Sequence, residues 1–136
     1  MANLGPASVS SVHPQVLGSN QAIRLLGVAK GLNFSATGDT VLPIINSTSY
    51  AISNVVISNA STALSSAAAG LFYAPSAAGT AIVASNTLTL ALSTILQATV
   101  ATATTIQTSQ NLYYNVATAQ GSGITGDVYV YGYDLS

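Results

Sequence analysis

Short runs of β-branched and aromatic residues recur along this chain, and glycine, proline, asparagine or serine separates each run from the next. Turn signals at intervals of about 8–12 residues are typical of antiparallel sandwiches and barrels. We predict strands at 22–34, 41–45, 50–58, 70–74, 80–84, 95–103, 111–118 and 127–133. The sequence therefore predicts an all-β fold, an antiparallel β-sandwich whose strand number suits a jelly roll.

Alternation of side chains predicts how the first strand is oriented. Arg24, Leu26, Val28 and Lys30 would share one face of it. The glycines within 22–34 favour a bend or a bulge over a helix. In the third strand, Tyr50, Ile52 and Val56 would lie on one face, and Val55 and Ile57 on the other.

Two segments have less regular patterns. Pro43 places 41–45 at a sheet edge or at a strand start, because proline cannot donate a backbone hydrogen bond. Asn86 could cap a short helix through 87–94, although leucine and threonine also alternate there with the period of a strand. Of these two alternatives we predict one or two helical turns.

Charged residues are nearly absent: the chain has two basic and three acidic residues, and no glutamate. They make up 4% of the chain, against about 25% in an average soluble domain. So few charges protect a lone monomer poorly against association. We therefore expect a protein that works docked to a partner or as one of many copies on a surface. Two cations are too few for phosphate contacts, so no nucleic-acid partner is expected.

The chain of 136 residues fits one domain. We expect an extended N-terminal arm over 1–20, where glycine and proline recur without a period, and a single β-sandwich domain over 21–136. No run is long and apolar enough to cross a membrane as a helix, and the start lacks the pattern of a secretory signal. We expect no membrane partner and assembly in a cytoplasm.

Side chains for catalysis are too few to form an active site. His13 is the only histidine, the chain has no cysteine, and its three aspartates are far apart in sequence. Asp127 and Asp134 flank one predicted strand, which would hold them more than about 20 Å apart. We therefore predict no enzyme activity, no catalytic residues, no metal site and no cofactor.

Tyr129, Tyr131 and Tyr133 alternate with Val128 and Val130, so the three rings would share one face of the last strand. Tyrosine gives a large contact area and is enriched at interfaces. Rings that only cover a sheet face would give the same pattern. Arg24 and Lys30 are the only cations, and they would be the natural partners of acidic groups on a neighbour. A solvated face is the alternative for this pair.

Five strings stand out along the chain: GLFY at 70–73, AGTAIV at 78–83, LYY at 112–114, AQG at 119–121 and DVYVYGYDL at 127–135. They are similar to strings of small structural proteins of tailed bacteriophages, which include head decoration, or capsid cement, proteins. The similarity covers about residues 45–136. It implies a jelly-roll-like β-sandwich that forms a homotrimer, binds the major capsid protein of the same virion and clamps neighbouring shell subunits from the outside. The expected location is the capsid surface of the virion.

Two other functions are compatible with the sequence. A tail, adaptor or fibre-associated subunit would have the same low charge and the same richness in strands. A carbohydrate-binding β-sandwich would need exposed aromatic rings beside aspartate or asparagine, and 129–134 contains both tyrosine and aspartate.

Overall fold

A computed structural model describes residues 23–136. The predicted arm over 1–20 and His13 lie outside the described residues. Within them the chain forms eight strands and no helix. The strands are β1 (Arg24–Asn33), β2 (Gly38–Pro43), β3 (Tyr50–Ser58), β4 (Ala68–Phe72), β5 (Ala81–Thr87), β6 (Leu96–Ala98), β7 (Asn111–Thr118) and β8 (Thr125–Asp134).

The strands form two four-stranded antiparallel sheets. The first has the order β1-β8-β3-β6, and the second has the order β2-β7-β4-β5. Among the described strands, only β4 and β5 follow each other within one sheet, and every other connection between consecutive strands crosses to the opposite sheet. This is the strand order of an eight-stranded jelly roll. The predicted antiparallel β-sandwich is therefore confirmed.

The core lies between the inner faces of the two sheets. Val128 and Val130 of β8 are fully buried there, as the predicted alternation requires. From the second sheet, Leu112, Tyr114 and Val116 of β7 face them across the layer. The ring of Tyr114 meets that of Phe34 edge to face, with centroids 6.2 Å apart, an arrangement that aromatic pairs prefer.

The predicted face of β1 is wrong because the strand contains two irregularities. Leu26 is an extra residue between the pairs Leu25–Tyr131 and Gly27–Val130, and a second shift lies between Ala29 and Leu32. A bulge sets two residues of one strand against one of its partner, which reverses the alternation beyond it. Leu26 consequently points into the core, while Val28 lies on the outer face opposite Tyr129. The bulge itself was predicted from the glycines.

A bulge at Ser53 corrects the prediction for β3 in the same way. The register passes from Ile52–Gly132 to Asn54–Tyr131, so Ser53 has no partner on β8. Ile52 and Val55, which were predicted to face opposite ways, are therefore both buried. Val56 lies on the outer face opposite Tyr129.

The helix predicted over 87–94 does not form. Asn86 and Thr87 complete β5, where they pair with Ala69 and Ala68. The segment beyond is held by a β-bridge in which Leu90 exchanges both backbone hydrogen bonds with Leu64. Burial of leucine side chains against the sandwich thus outweighs the local preference for a helical turn.

The two edges of the sandwich differ. Beside β1 and β2 the layers are joined by a hydrogen bond of 2.7 Å from Ile45 N to Leu26 O. At the opposite edge, the predicted strand 95–103 is reduced to the three residues of β6, and an apolar cleft of about 340 Å³ opens between β5 and β6. The edge position predicted from Pro43 is confirmed, since β2 is the outermost strand of its sheet.

Candidate interaction surface

The outer face of the first sheet carries the three predicted tyrosines. Tyr131 lies between Leu25 of β1 and Asn54 of β3 in the ladder. Tyr129 lies between Val28 and Val56 one step further along. Residues directly opposite in an antiparallel pair lie on the same face. We call this set the tyrosine face; its members are Leu25, Val28, Asn54, Val56, Tyr129, Tyr131 and Tyr133.

The rings of Tyr129 and Tyr131 lie side by side. Their centroids are 6.4 Å apart, and their planes differ by 20°. This separation follows from the strand, since residues i and i+2 are about 6.6 Å apart on one face. Tyr133 continues the row and is 40% exposed. Large contiguous patches of apolar and aromatic surface mark interaction sites in soluble proteins, which makes this row a candidate for one.

Charged groups lie at one end of the tyrosine face. Asp127 accepts hydrogen bonds from the Gly31 backbone N–H at 2.9 Å and from the Asn59 amide at 2.9 Å. The Gly31 N–H above all, and then the Asn59 amide, hold the pKa of Asp127 below its usual value. Lys30 is exposed at this end, and its positive charge also lowers the pKa of Asp127. Among residues 23–136, no ionisable group other than the tyrosines themselves lies at the centre of the face.

Arg24 lies at the other end of the sandwich, where its guanidinium bonds to other groups of the same chain. Its guanidinium pairs with Asp134 at 3.2 Å and donates to the carbonyl oxygens of Ile45 and Asn46. Asp134 also accepts from the Ser47 hydroxyl at 2.8 Å. The structure thus separates the two predicted cations, and it brings only Lys30 to the rim of the tyrosine face.

Asp39, the fifth charged residue, has internal partners as well. It accepts from the Ser76 N–H at 2.6 Å and from the Asn115 amide at 2.8 Å. Four of the five charged side chains therefore form hydrogen bonds within the molecule. Lys30 alone among the five makes no hydrogen bond or ion pair within residues 23–136.

The aliphatic members of the tyrosine face were missed in the sequence. These members are Leu25, Val28 and Val56. They lie on this face together because the bulges in β1 and β3 change which side chains of those strands point outward. The doublet Leu25-Leu26 ahead of Gly27 was the available signal, because two adjacent leucines in a half-buried strand are compatible with a bulge.

The described part of the chain offers no centre for metal chemistry. No group of three or more histidine, cysteine, aspartate or glutamate side chains converges within residues 23–136. No helix in this part of the chain is long and apolar enough to span a membrane.

Comparison with known proteins gives no match to a family model, a curated protein or a solved structure.

Proposed function

We propose that this protein is a virion structural protein that binds the outside of an assembled bacteriophage capsid and clamps neighbouring shell subunits, as a homotrimer. The observation that carries the proposal is the tyrosine face, an apolar and aromatic sheet surface with charges only at its rim. The similarity of five sequence strings to phage structural proteins supplies the kind of partner.

The physical requirements of such a role agree with the fold. A decoration protein needs a rigid shape and a contact surface, and it needs no reacting groups. Its contacts are repeated by the symmetry of the shell, so each can be small while the sum is large. A jelly roll whose charged groups mostly bond internally can present a neutral face without leaving unpaired charges in the contact.

The test is quantitative mass spectrometry of purified particles, with heads and tails separated. We expect the protein in the head fraction, at a copy number comparable with that of the major shell subunit. A much smaller number in the tail fraction would identify it as a tail, adaptor or fibre-associated subunit and overturn the proposal.

The clamping role has a separate test. Heads that lack the protein should lose their DNA at a lower temperature than complete heads, and adding the purified protein should restore the difference. If both kinds of head survive heating equally, the protein decorates the shell without stabilising it.

Binding of carbohydrate is a second candidate, favoured by one specific observation. The parallel rings of Tyr129 and Tyr131 stand beside Asp127, whose carboxylate lies 3.4 Å from the Tyr129 hydroxyl, and Asn59 adjoins it. Aromatic surface next to polar side chains that can bond hydroxyl groups suits a sugar. A glycan array without specific signal would remove this candidate and leave the capsid proposal unaffected.

A further inference from the structure

Lys30 is exposed at the rim of the tyrosine face, and its side chain forms no hydrogen bond or ion pair within residues 23–136. The other cation, Arg24, bonds to Asp134 and to two carbonyl oxygens of its own chain. Of the two cations, only Lys30 can therefore bind an acidic group of a neighbour without first losing a bond inside the molecule.

A bulge shapes the backbone at Lys30. The pairing of β1 with β8 shifts by one residue between Ala29 and Leu32. Two residues, Lys30 and Gly31, consequently lie opposite one residue, Asp127. Gly31 has a φ of 64°, a left-handed conformation that glycine adopts readily. Its N–H donates to Asp127 Oδ1 at 2.9 Å, so this carboxylate holds the bulge that presents the lysine.

Asp127 lies opposite the bulge, but other donors engage its two oxygens. Oδ1 accepts the Gly31 N–H, and Oδ2 accepts the Asn59 amide at 2.9 Å. No ion pair joins Asp127 to Lys30 in the described part of the chain. Asp127 therefore positions Lys30 through the backbone and leaves its ammonium group exposed.

No other acidic side chain of this protein is left to bind that ammonium group. The acidic residues are Asp39, Asp127 and Asp134, and the chain has no glutamate. Asp39 accepts the Asn115 amide, and Asp134 pairs with Arg24. A second copy of the chain has the same three carboxylates with the same partners. A carboxylate that is available to the lysine must therefore come from a different protein.

We propose that Lys30 binds a single carboxylate side chain of the shell protein, at the rim of the contact that the tyrosine face makes. The inference rests on the proposed function, because it takes the tyrosine face as the surface that meets the shell. One carboxylate fits better than a phosphate group or a cluster of acids, because Asp127 beside the lysine repels additional negative charge. Charges at the rim of an interface set orientation and association rate more than affinity. Lys30 thus fixes the orientation in which the apolar face docks.

Zero-length cross-linking gives the first test, because Lys30 is the only lysine of the chain. The protein is bound to purified heads that lack it, and a water-soluble carbodiimide then couples amines to carboxylates in contact with them. Peptide mass spectrometry should find Lys30 linked to an aspartate or a glutamate of the major shell subunit. Lys30→Arg keeps the charge but has no amine to couple, so it should bind the heads and give no such link.

Removal of the charge gives the second test, in a binding assay with the same heads. Lys30→Met keeps an unbranched side chain and should weaken binding by about fivefold at low salt. The loss should shrink in about 0.5 M NaCl, because salt screens exposed charge pairs. The melting temperature should stay close to that of the wild type, since the lysine has no partner within residues 23–136.

Asp127→Asn is the matched variant for the sign of the bound charge. It keeps an oxygen for the Gly31 N–H and removes the negative charge beside Lys30. It should bind the heads more tightly than the wild type, because the bound group is an anion. Weaker binding by this variant, with the fold intact by melting temperature, would contradict an anionic partner.

The outcomes separate this inference from the proposed function. Wild-type binding that neither Lys30→Met nor salt changes would overturn the inference alone. Weaker binding by Lys30→Met without a Lys30 cross-link would overturn it as well, since the bound group is then not a carboxylate. Cross-links only between copies of this chain would do the same, since the carboxylate is then not the shell's. If the wild type does not bind heads at all, the proposed function and the inference are both wrong.

Discussion

Tyr114 carries a hydroxyl group that is buried without a hydrogen-bond partner in the described part of the chain. Burial raises the pKa of its phenol above the ordinary value of 10.0. A buried polar group without a partner costs about 1–3 kcal/mol of stability. We expect Tyr114→Phe to raise the free energy of unfolding by about 1 kcal/mol, measured by urea denaturation.

Tyr50 provides the matched control, because it is equally buried and its hydroxyl donates to the Ser109 carbonyl oxygen. Tyr50→Phe should lower the free energy of unfolding by about 1 kcal/mol. Should Tyr114→Phe destabilise the protein as Tyr50→Phe does, the Tyr114 hydroxyl has a bonding partner in solution, such as a buried water molecule.

Two aspartates link stability to pH. Hydrogen bonds, from the Gly31 N–H to Asp127 and from the Ser136 and Ser47 hydroxyls to Asp134, hold both pKa values below the ordinary value of 3.8. The folded state therefore binds fewer protons than the unfolded state in acid, so stability rises with pH. The contribution is complete above the unfolded pKa and is lost as the pH falls below 3.8 through the folded values.

We expect the melting temperature to fall as the pH drops from 4 to 2, as measured by calorimetry, because in this range the unfolded chain takes up protons at both carboxylates more readily than the folded protein does. The fall should be smaller in the double variant Asp127→Asn/Asp134→Asn, whose stability at neutral pH is lower. A wild-type melting temperature that stays constant over this range would show that the two carboxylates do not stabilise the folded state.

At the scale of the elements, Gln120 in the loop after β7 fixes the segment before β4. Its Oε1 accepts the backbone N–H groups of Ser65 and Ser66, each at 2.8 Å, and that of Ala67 at 3.1 Å. Its Nε2 donates to the Ala63 carbonyl oxygen at 2.8 Å. A single side chain thus bonds four backbone groups of this segment, in addition to the bridge between Leu64 and Leu90.

Gln120→Ala should lower the free energy of unfolding by about 2 kcal/mol, because it leaves several backbone groups without partners. Hydrogen exchange should accelerate at 65–67 more than elsewhere. Gln97→Ala on the exposed side of β6 removes the same side chain without such bonds and should change neither quantity. Unchanged exchange at 65–67 in Gln120→Ala would show that the loop holds its shape by other contacts.

A strand could be predicted from the sequence where its alternation of apolar and polar side chains agrees with its pairing in the sheet. The strand predicted at 111–118 is found as β7, because every residue of β2 has a partner on it and its one register shift, at Ala117 opposite β4, lies near its end. Bulges at Leu26 and Ser53 arise from pairing with β8, which is distant in sequence. The sequence therefore predicted the tyrosines of the candidate surface, while Leu25 and Val56 could be assigned to it only from the register. The cleft between β5 and β6 depends on how far apart the two sheets lie at that edge, and no local sequence pattern determines this distance.

At the scale of the whole molecule, the outer faces of the two sheets differ in their charged groups. The face through which copies of the chain associate can therefore be tested. The second sheet carries Val41, 53% exposed, opposite Tyr113, beside the hydrogen-bonded pair of Asp39 and Asn115. In the described part of the chain, no such charged group lies at the centre of the tyrosine face. We therefore expect copies of the chain to associate through the tyrosine face.

Tyr131→Lys should convert the associated form to monomer, measured by sedimentation velocity at a fixed protein concentration. A lysine at the centre of the face would have to lose its hydration against apolar neighbours, and an unpaired buried charge costs several kcal/mol, enough to weaken association by about a hundredfold or more. Val41→Lys adds the same charge on the opposite sheet and should leave association unchanged. Because both variants have the same net charge, a difference between them reports the location of the contact. Dissociation by Val41→Lys alone would place the contact between copies on the second sheet and leave the tyrosine face for another partner.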